Sequence, residues 1–154
     1  MIKKSMTFVF FFCTFALYAQ TATEMDLLLE TNEVSAATAA YFTLGAAGLL
    51  QPGLSGTEAF TTAYDTARSR GWVNTAANEA VTLQETAFLL MNAFELKGGV
   101  MYSLFPNPRY AYRELLYHKL IQGRSYYNMR VSGIELLRII DRTFSYSGGD
   151  GESN

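Results

Sequence analysis

The side chains best suited to chemistry in this 154-residue sequence include its single histidine. His118 follows Glu114 by one helical turn, and an imidazole near a carboxylate can bind a metal ion or act as an acid–base pair. Such a site usually needs three or more converging groups, so a solvated helix face is the better interpretation. The sequence has no glycine-rich phosphate loop and no hydrolase serine elbow. We therefore expect no enzymatic activity, no metal and no cofactor, with a small enzyme built on His118 as the weaker alternative.

A second candidate site is the segment from Tyr102 to Arg130, which concentrates aromatic rings and guanidinium groups in an otherwise acidic chain. Tyrosine rings offer flat faces to sugar rings or protein partners, and arginine can bind a carboxylate or phosphate through two parallel hydrogen bonds. The alternative is that the rings fill the space between two helices while the arginines are ordinary surface charges. If the protein has a ligand, we expect it to contact Tyr110, Tyr112, Arg113, Arg124, Tyr126, Tyr127 and Arg130.

The composition argues against several partners and places the protein outside the cytoplasm. Lys+Arg 12 and Asp+Glu 14 give a formal net charge of −2, without the basic stripe of a nucleic-acid-binding protein. Residues 1–19 have the form of a signal peptide, in which Lys3 and Lys4 precede an apolar run too short to span a bilayer. We expect cleavage after Ala19, a periplasmic or secreted product, and no transmembrane segment in the mature chain.

Cleavage at this site removes Cys13, the only cysteine. The mature protein then has neither disulfides nor thiol chemistry, so its stability must come from a packed core. A lipoprotein signal at Cys13 is the less favoured alternative, because three phenylalanines precede it where small residues are preferred.

Helical periodicity and turn residues predict an all-α protein of about six helices. We expect Gly71, the Gly98–Gly99 pair and Gly123 to end three of them, with a loop from Val100 to Asn107. The helical domain is predicted to cover residues 20–146, and residues 147–154 are predicted to form a disordered tail. The expected helix starts are Thr23, Ser35, Thr57, Thr82, Pro108 and Ser132.

An internal repeat is the most informative feature of the sequence. Val34, Val81 and Val131 each precede a hydroxyl residue, and the three sites are almost equally spaced. In the last two copies a glutamate follows the hydroxyl by three residues, which is the pattern of a capping box. In the first copy a threonine takes the place of the glutamate. We therefore predict three helix-loop-helix repeats with a capping motif formed by Ser35, Thr82, Glu85, Ser132 and Glu135.

These repeats resemble the S-layer homology (SLH) module, in which a helix, a loop and a second helix opening with a Thr-Arg-Ala-Glu type tetrapeptide form one unit. The matching tetrapeptides are residues 82–85, 132–135 and, in degenerate form, 35–38, and the stretch 63–73 leading into Val81 is closest to the family pattern. The resemblance covers residues 24–146. It implies a pseudo-threefold helical domain that attaches proteins to cell-wall polysaccharide or peptidoglycan.

Two departures from the family pattern bear on the ligand. The family holds an anionic glycan with an arginine at the second tetrapeptide position, where this chain has Ala36, Leu83 and Gly133. The acidic, glycine-containing loop that precedes the tetrapeptide in the family is also missing. The sequence thus predicts an exported, non-catalytic, envelope-associated binding module for peptidoglycan or cell-wall glycan. The alternative is a periplasmic scaffold that binds an envelope protein or a second copy of itself.

Overall fold

The computed structural model describes residues 22–123 and 125–149, and within these ranges the chain forms seven helices and no strand. The first helix, α1, covers residues 22–30. The all-α fold class is therefore confirmed. The predicted signal peptide, Cys13, Arg124 and residues 150–154 lie outside the described ranges. The other helices are α2 (Ala36–Ala46), α3 (Gly56–Ser69), α4 (Leu83–Ala93), α5 (Val100–Leu104), α6 (Pro108–Tyr117) and α7 (Gly133–Gly149).

Over the described ranges, none of the helices is both long and apolar enough to cross a lipid bilayer. The last helix continues to Gly149, three residues beyond the expected end at Tyr146.

The helices α3, α4 and α6 end in the same way, with a left-handed residue that closes the last turn. After α3 this residue is Gly71 (φ 73°), and the next N–H, of Trp72, donates to the carbonyl of Ala67 at 2.9 Å. After α4 and α6 the left-handed residues are Glu95 (φ 52°) and Lys119 (φ 58°). The predicted end at Gly71 is confirmed. The predicted ends at glycines 98–99 and 123 are wrong, because non-glycine residues adopt the closing conformation three or four positions earlier.

Helix α5 lies inside the segment Val100–Asn107, which the sequence predicts to be a loop. Its first turn is closed by the Ser103 N–H, which donates to the Gly99 carbonyl at 3.0 Å. Tyr102 anchors the helix, because its side chain is buried and its ring meets Phe88 of α4 edge to face. A helix of this length is shorter than the window in which helical periodicity can be recognised. Packing of Tyr102 against α4 and contacts with α6, and not local sequence, therefore account for α5.

The three valines of the sequence repeat lie in the core. Val34, Val81 and Val131 are each at most 1% exposed. The Val34 N–H donates to the carbonyl of Val131 at 2.8 Å, and the Val81 N–H donates to the carbonyl of Val34 at 2.9 Å. The helices that follow these valines, α2, α4 and α7, each contact the other two. The three valines thus belong to one buried cluster.

The segments before the capped helices are also linked by backbone hydrogen bonds. The first two N–H groups of α2 donate to the carbonyls of Glu79 and Ala77, and those of α4 donate to Met129 and Tyr127, at 2.9–3.0 Å. At the start of α7 the Gly133 N–H donates to the carbonyl of Thr31 at 2.8 Å. The first N–H groups of a helix have no partner within it. Here the segment that precedes another capped helix supplies those partners.

Candidate functional site

The predicted capping motif is engaged in holding the helix starts. At α4 the Glu85 carboxylate accepts from the backbone N–H of Thr82 at 3.0 Å and from its hydroxyl at 2.8 Å, and a capping box is formed. At α7 the Ser132 hydroxyl accepts from the N–H of Glu135 at 3.3 Å. These polar groups serve folding, so they are poor candidates for ligand contacts.

The first copy of the motif works without a carboxylate. The Ser35 hydroxyl accepts from the N–H of Thr38 at 3.3 Å, and the two side-chain hydroxyls lie 2.9 Å apart. Thr38 therefore takes the place of the glutamate that the other two copies have at this position.

The two glutamates of the motif have pKa values shifted in opposite directions. Burial raises the pKa of Glu85, but hydrogen bonds from Thr75 and Thr82 outweigh this effect and hold the pKa below its ordinary value of 4.5. Burial raises the pKa of Glu135, and the hydrogen bond from the Ser132 backbone offsets only part of this effect. Glu85 is thus better stabilised as a carboxylate than Glu135, although both occupy the same position of the repeat.

We expect Glu85→Gln to lower the free energy of unfolding by about 1 kcal/mol at neutral pH, because the variant loses the charged partner of the capping box. A carboxyl group with a lowered pKa stabilises the folded state at pH values above 4.5. This contribution is lost as the pH falls through the folded-state pKa. The stability difference between wild type and Glu85→Gln should therefore shrink in acid, which denaturant unfolding at neutral pH and near pH 3 will measure.

Glu135→Gln is the matched control for this prediction, since its pKa shift has the opposite sign. Because the pKa of Glu135 is raised in the folded protein, ionisation of its carboxyl group lowers the free energy of unfolding. Wild type should accordingly lose stability relative to Glu135→Gln as the pH rises from 4.5 through the folded-state pKa. If the stabilities of Glu85→Gln and Glu135→Gln relative to wild type changed with pH in the same direction, the opposite pKa shifts of the two glutamates would be contradicted.

The positions at which the SLH family carries its arginine are part of the core in this protein. Ala36 and Leu83 are 0% exposed, and Gly133 is buried as well. A Cβ atom added to Gly133 would lie 1.7 Å from the backbone oxygen of Leu28 in α1. A side chain at Gly133 would clash with α1, and the side chains present at the other two positions do not face solvent.

The predicted tyrosine–arginine cluster is not one surface. Tyr112 is buried, and its hydroxyl lies 3.1 Å from the Ser125 hydroxyl. Arg130 donates from its guanidinium to the carbonyl of Ala80, which ties the segment before α7 to the segment before α4. Arg124 lies outside the described residues. Tyr112 and Arg130 therefore contribute to the fold.

Two further members of the cluster, Tyr126 and Tyr127, lie at the surface. The guanidinium of Arg109 sits 4.3 Å from the ring centre of Tyr127, in a cation–π contact. The Tyr126 side chain is 61% exposed. Because Arg109 covers one face of Tyr127, Tyr126 is the more accessible ring of the two.

The remaining predicted residues, Tyr110 and Arg113, lie in an open groove between α5 and α6 with a volume of about 420 Å³. We refer to it as the α5–α6 groove. Its size is within the range of small-molecule sites in proteins, roughly 300–1,000 Å³. The groove is lined by Gly99, Val100, Met101, Tyr110, Arg113, Glu114 and Tyr117.

One face of α6 supplies all the long polar and aromatic side chains of this groove. Tyr110, Arg113, Glu114 and Tyr117 follow the i, i+3, i+4, i+7 spacing of a single helix face. The Tyr117 ring is 80% exposed. Gly99 gives the carboxylate of Glu114 room, because a Cβ there would lie 3.1 Å from Oε1. This spacing is visible in the sequence and could have identified Glu114 and Tyr117 as members of the site.

The groove offers contacts for binding a polar ligand with flat faces. Its tyrosine rings can stack on apolar faces, its guanidinium can pair with an anion, and its carboxylate can accept from hydroxyl groups. His118 is not one of the lining residues, since its ring packs at 4.9 Å from Tyr146 and 5.1 Å from Tyr117, measured between ring centres. Within the described part of the chain, no group of three or more His, Cys, Asp or Glu side chains converges to hold a metal ion.

Comparisons of the chain with protein-family models, curated proteins and solved structures find no match. The resemblance to the SLH module stays a prediction. The basis for a functional proposal is therefore the geometry of the groove and the contacts among α2, α4 and α7.

Proposed function

We propose that this protein is an exported, non-catalytic binding module of the cell envelope that holds peptidoglycan or another cell-wall glycan in the α5–α6 groove. The observation that carries the proposal is that one face of α6 presents two tyrosines, an arginine and a glutamate to one open groove. Sugar rings have apolar faces that stack on tyrosine and hydroxyl groups that donate to a carboxylate. Peptidoglycan also carries carboxylates, which Arg113 can bind through two parallel hydrogen bonds.

The proposal includes an SLH-like architecture of three degenerate repeats, α1–α2, α3–α4 and α6–α7, around a pseudo-threefold axis. The buried cluster of Val34, Val81 and Val131 supports it, as do the mutual contacts of α2, α4 and α7. Two matching backbone hydrogen bonds support it further. The second N–H of α2 donates to Ala77, five residues before the capping hydroxyl of Thr82, and the second N–H of α4 donates to Tyr127, five residues before the capping hydroxyl of Ser132. In this architecture α5 is an insertion between the second and third repeats, and it forms one wall of the ligand groove.

The proposed location follows from the first residues of the chain. Residues 1–19 act as a signal peptide that is cleaved after Ala19, and the mature protein is periplasmic or secreted. The basic start and the apolar run of this segment support export.

Co-sedimentation of the mature protein with purified peptidoglycan sacculi tests the proposal. We expect the wild-type protein to pellet with sacculi, and we expect Tyr117→Ala and Arg113→Gln each to weaken binding by roughly tenfold or more, through lost stacking and lost charge pairing. Tyr126→Ala is the matched control, because it removes another exposed tyrosine that is not part of the groove. This control should bind sacculi like wild type.

Two outcomes would contradict the proposal. Full recovery of the wild-type protein in the supernatant at low salt would exclude wall binding and favour the scaffold alternative, which a stoichiometric protein partner from an envelope extract would then support. Loss of binding in Tyr126→Ala, with Tyr117→Ala unaffected, would place the glycan site outside the α5–α6 groove.

A further inference from the structure

Helix α5 and its C-cap residue Phe105 expose four apolar side chains, which we refer to as the apolar face of α5. The exposed fractions are 75% for Val100, 49% for Met101, 64% for Leu104 and 61% for Phe105. Residues at positions i, i+1 and i+4 lie on one side of a helix, Phe105 follows directly as the C-cap residue, and Tyr102 on the opposite side is buried. Contiguous exposed apolar surface of this kind marks a binding site for a protein or a membrane.

Exposed basic side chains outnumber exposed acidic ones around this face, and the partly buried Glu114 carboxylate lines the groove beside Val100 and Met101. From Leu96 to Arg113 the chain has no carboxylate, and its three charged residues, Lys97, Arg109 and Arg113, are exposed. The nearest acidic residues in sequence, Glu95 and Glu114, flank the segment. The whole chain has a formal net charge of −2, so this segment is positively charged in a protein that is negatively charged overall.

The small size of the face argues against a protein partner as its occupant. A stable protein–protein interface buries about 800 Å² on each partner and involves roughly 20–30 residues on each side. The apolar face of α5 has four side chains. A bilayer surface needs no matching contour, and each inserted apolar side chain and each nearby basic residue adds to reversible attachment to anionic lipid.

We propose that the apolar face of α5, with the basic side chains of Lys97 and Arg109 near it, docks reversibly on the surface of an anionic phospholipid bilayer. Leu104 and Phe105 enter the interfacial region, while the basic side chains contact the lipid phosphates. The inference goes beyond glycan binding, because Leu104 and Phe105 do not line the α5–α6 groove, whereas Val100 and Met101 border both surfaces.

Vesicle flotation of the mature protein tests this inference. We expect binding to vesicles that contain phosphatidylglycerol, weaker binding at high salt, and little binding to pure phosphatidylcholine. The double variant Leu104→Ser/Phe105→Ser should reduce binding at least about tenfold, because it removes two of the inserting side chains. Phe144→Ser is the matched control, since this phenylalanine is 60% exposed on α7, outside the segment, and should leave binding unchanged.

A charge variant tests the same inference without changing the apolar side chains. Lys97→Glu retains the whole apolar face and should weaken binding to phosphatidylglycerol vesicles, and circular dichroism will verify that each variant is folded. Absence of wild-type binding to these vesicles at low salt would overturn the inference. So would equal losses in Phe144→Ser, or a concentration-dependent dimer that the double variant abolishes. The sacculus assay is separate, since Leu104→Ser/Phe105→Ser should pellet with sacculi like wild type.

Discussion

Gly133→Ala should destabilise the protein by about 3 kcal/mol or more. The new methyl group would lie 1.7 Å from the backbone oxygen of Leu28 and 2.6 Å from its carbonyl carbon. These are backbone atoms, so no rotation of a side chain can relieve the clash, and α1 would have to move away from α7. Overpacking of a close backbone contact costs about 1–3 kcal/mol, and more where the neighbour cannot move. The Gly133 N–H also donates to Thr31, a bond that the same movement would break.

Denaturant unfolding of Gly133→Ala and Gly148→Ala side by side will measure this effect. Gly148 lies in the same helix, but nothing is within 4 Å of the position that its Cβ would occupy. Alanine is the better helix former, so Gly148→Ala should be neutral or stabilise by up to about 1 kcal/mol. Wild-type stability in Gly133→Ala would show that α1 does not pack against the start of α7 as described.

Leu83→Arg should prevent stable folding. This substitution introduces the arginine that SLH tetrapeptides carry, giving Thr-Arg-Gln-Glu at residues 82–85. The leucine is 0% exposed in the first turn of α4, so the guanidinium would be buried without a prepared partner. An unpaired buried charge and the loss of a large apolar side chain together cost more than about 4 kcal/mol, a large part of the stability of a typical domain.

Two further variants separate burial from the other effects of this substitution. Leu83→Met conserves the volume and should cost less than about 1.5 kcal/mol. Ile134→Arg places an arginine in the first turn of α7 at a side chain that is 44% exposed, and it should fold with near wild-type stability. Thermal unfolding by circular dichroism ranks the three. Stable folding of Leu83→Arg with tighter binding to sacculi would instead make the tetrapeptide, and not the α5–α6 groove, the glycan site.

The candidate site was only partly predictable, since the sequence does not show which side chains are buried. Tyr110, Arg113 and Tyr112 are close neighbours in the same predicted helix, and the first two line the groove while the third is in the core. The helical spacing of Tyr110, Arg113, Glu114 and Tyr117 places them on one face. The other wall of the groove is formed by α5, and no local pattern in the sequence predicts this helix.

Local patterns in the sequence were sufficient for the helical class, for the capping motif and for the end of α3 at Gly71. These features depend on hydrogen bonds and apolar spacing within a few residues, so their signals are local. The left-handed residues Glu95 and Lys119, the helix α5 and the buried settings of Leu83 and Gly133 depend on contacts between distant segments. Those contacts decide which helix face is buried and which groove is open, and only the tertiary structure contains them.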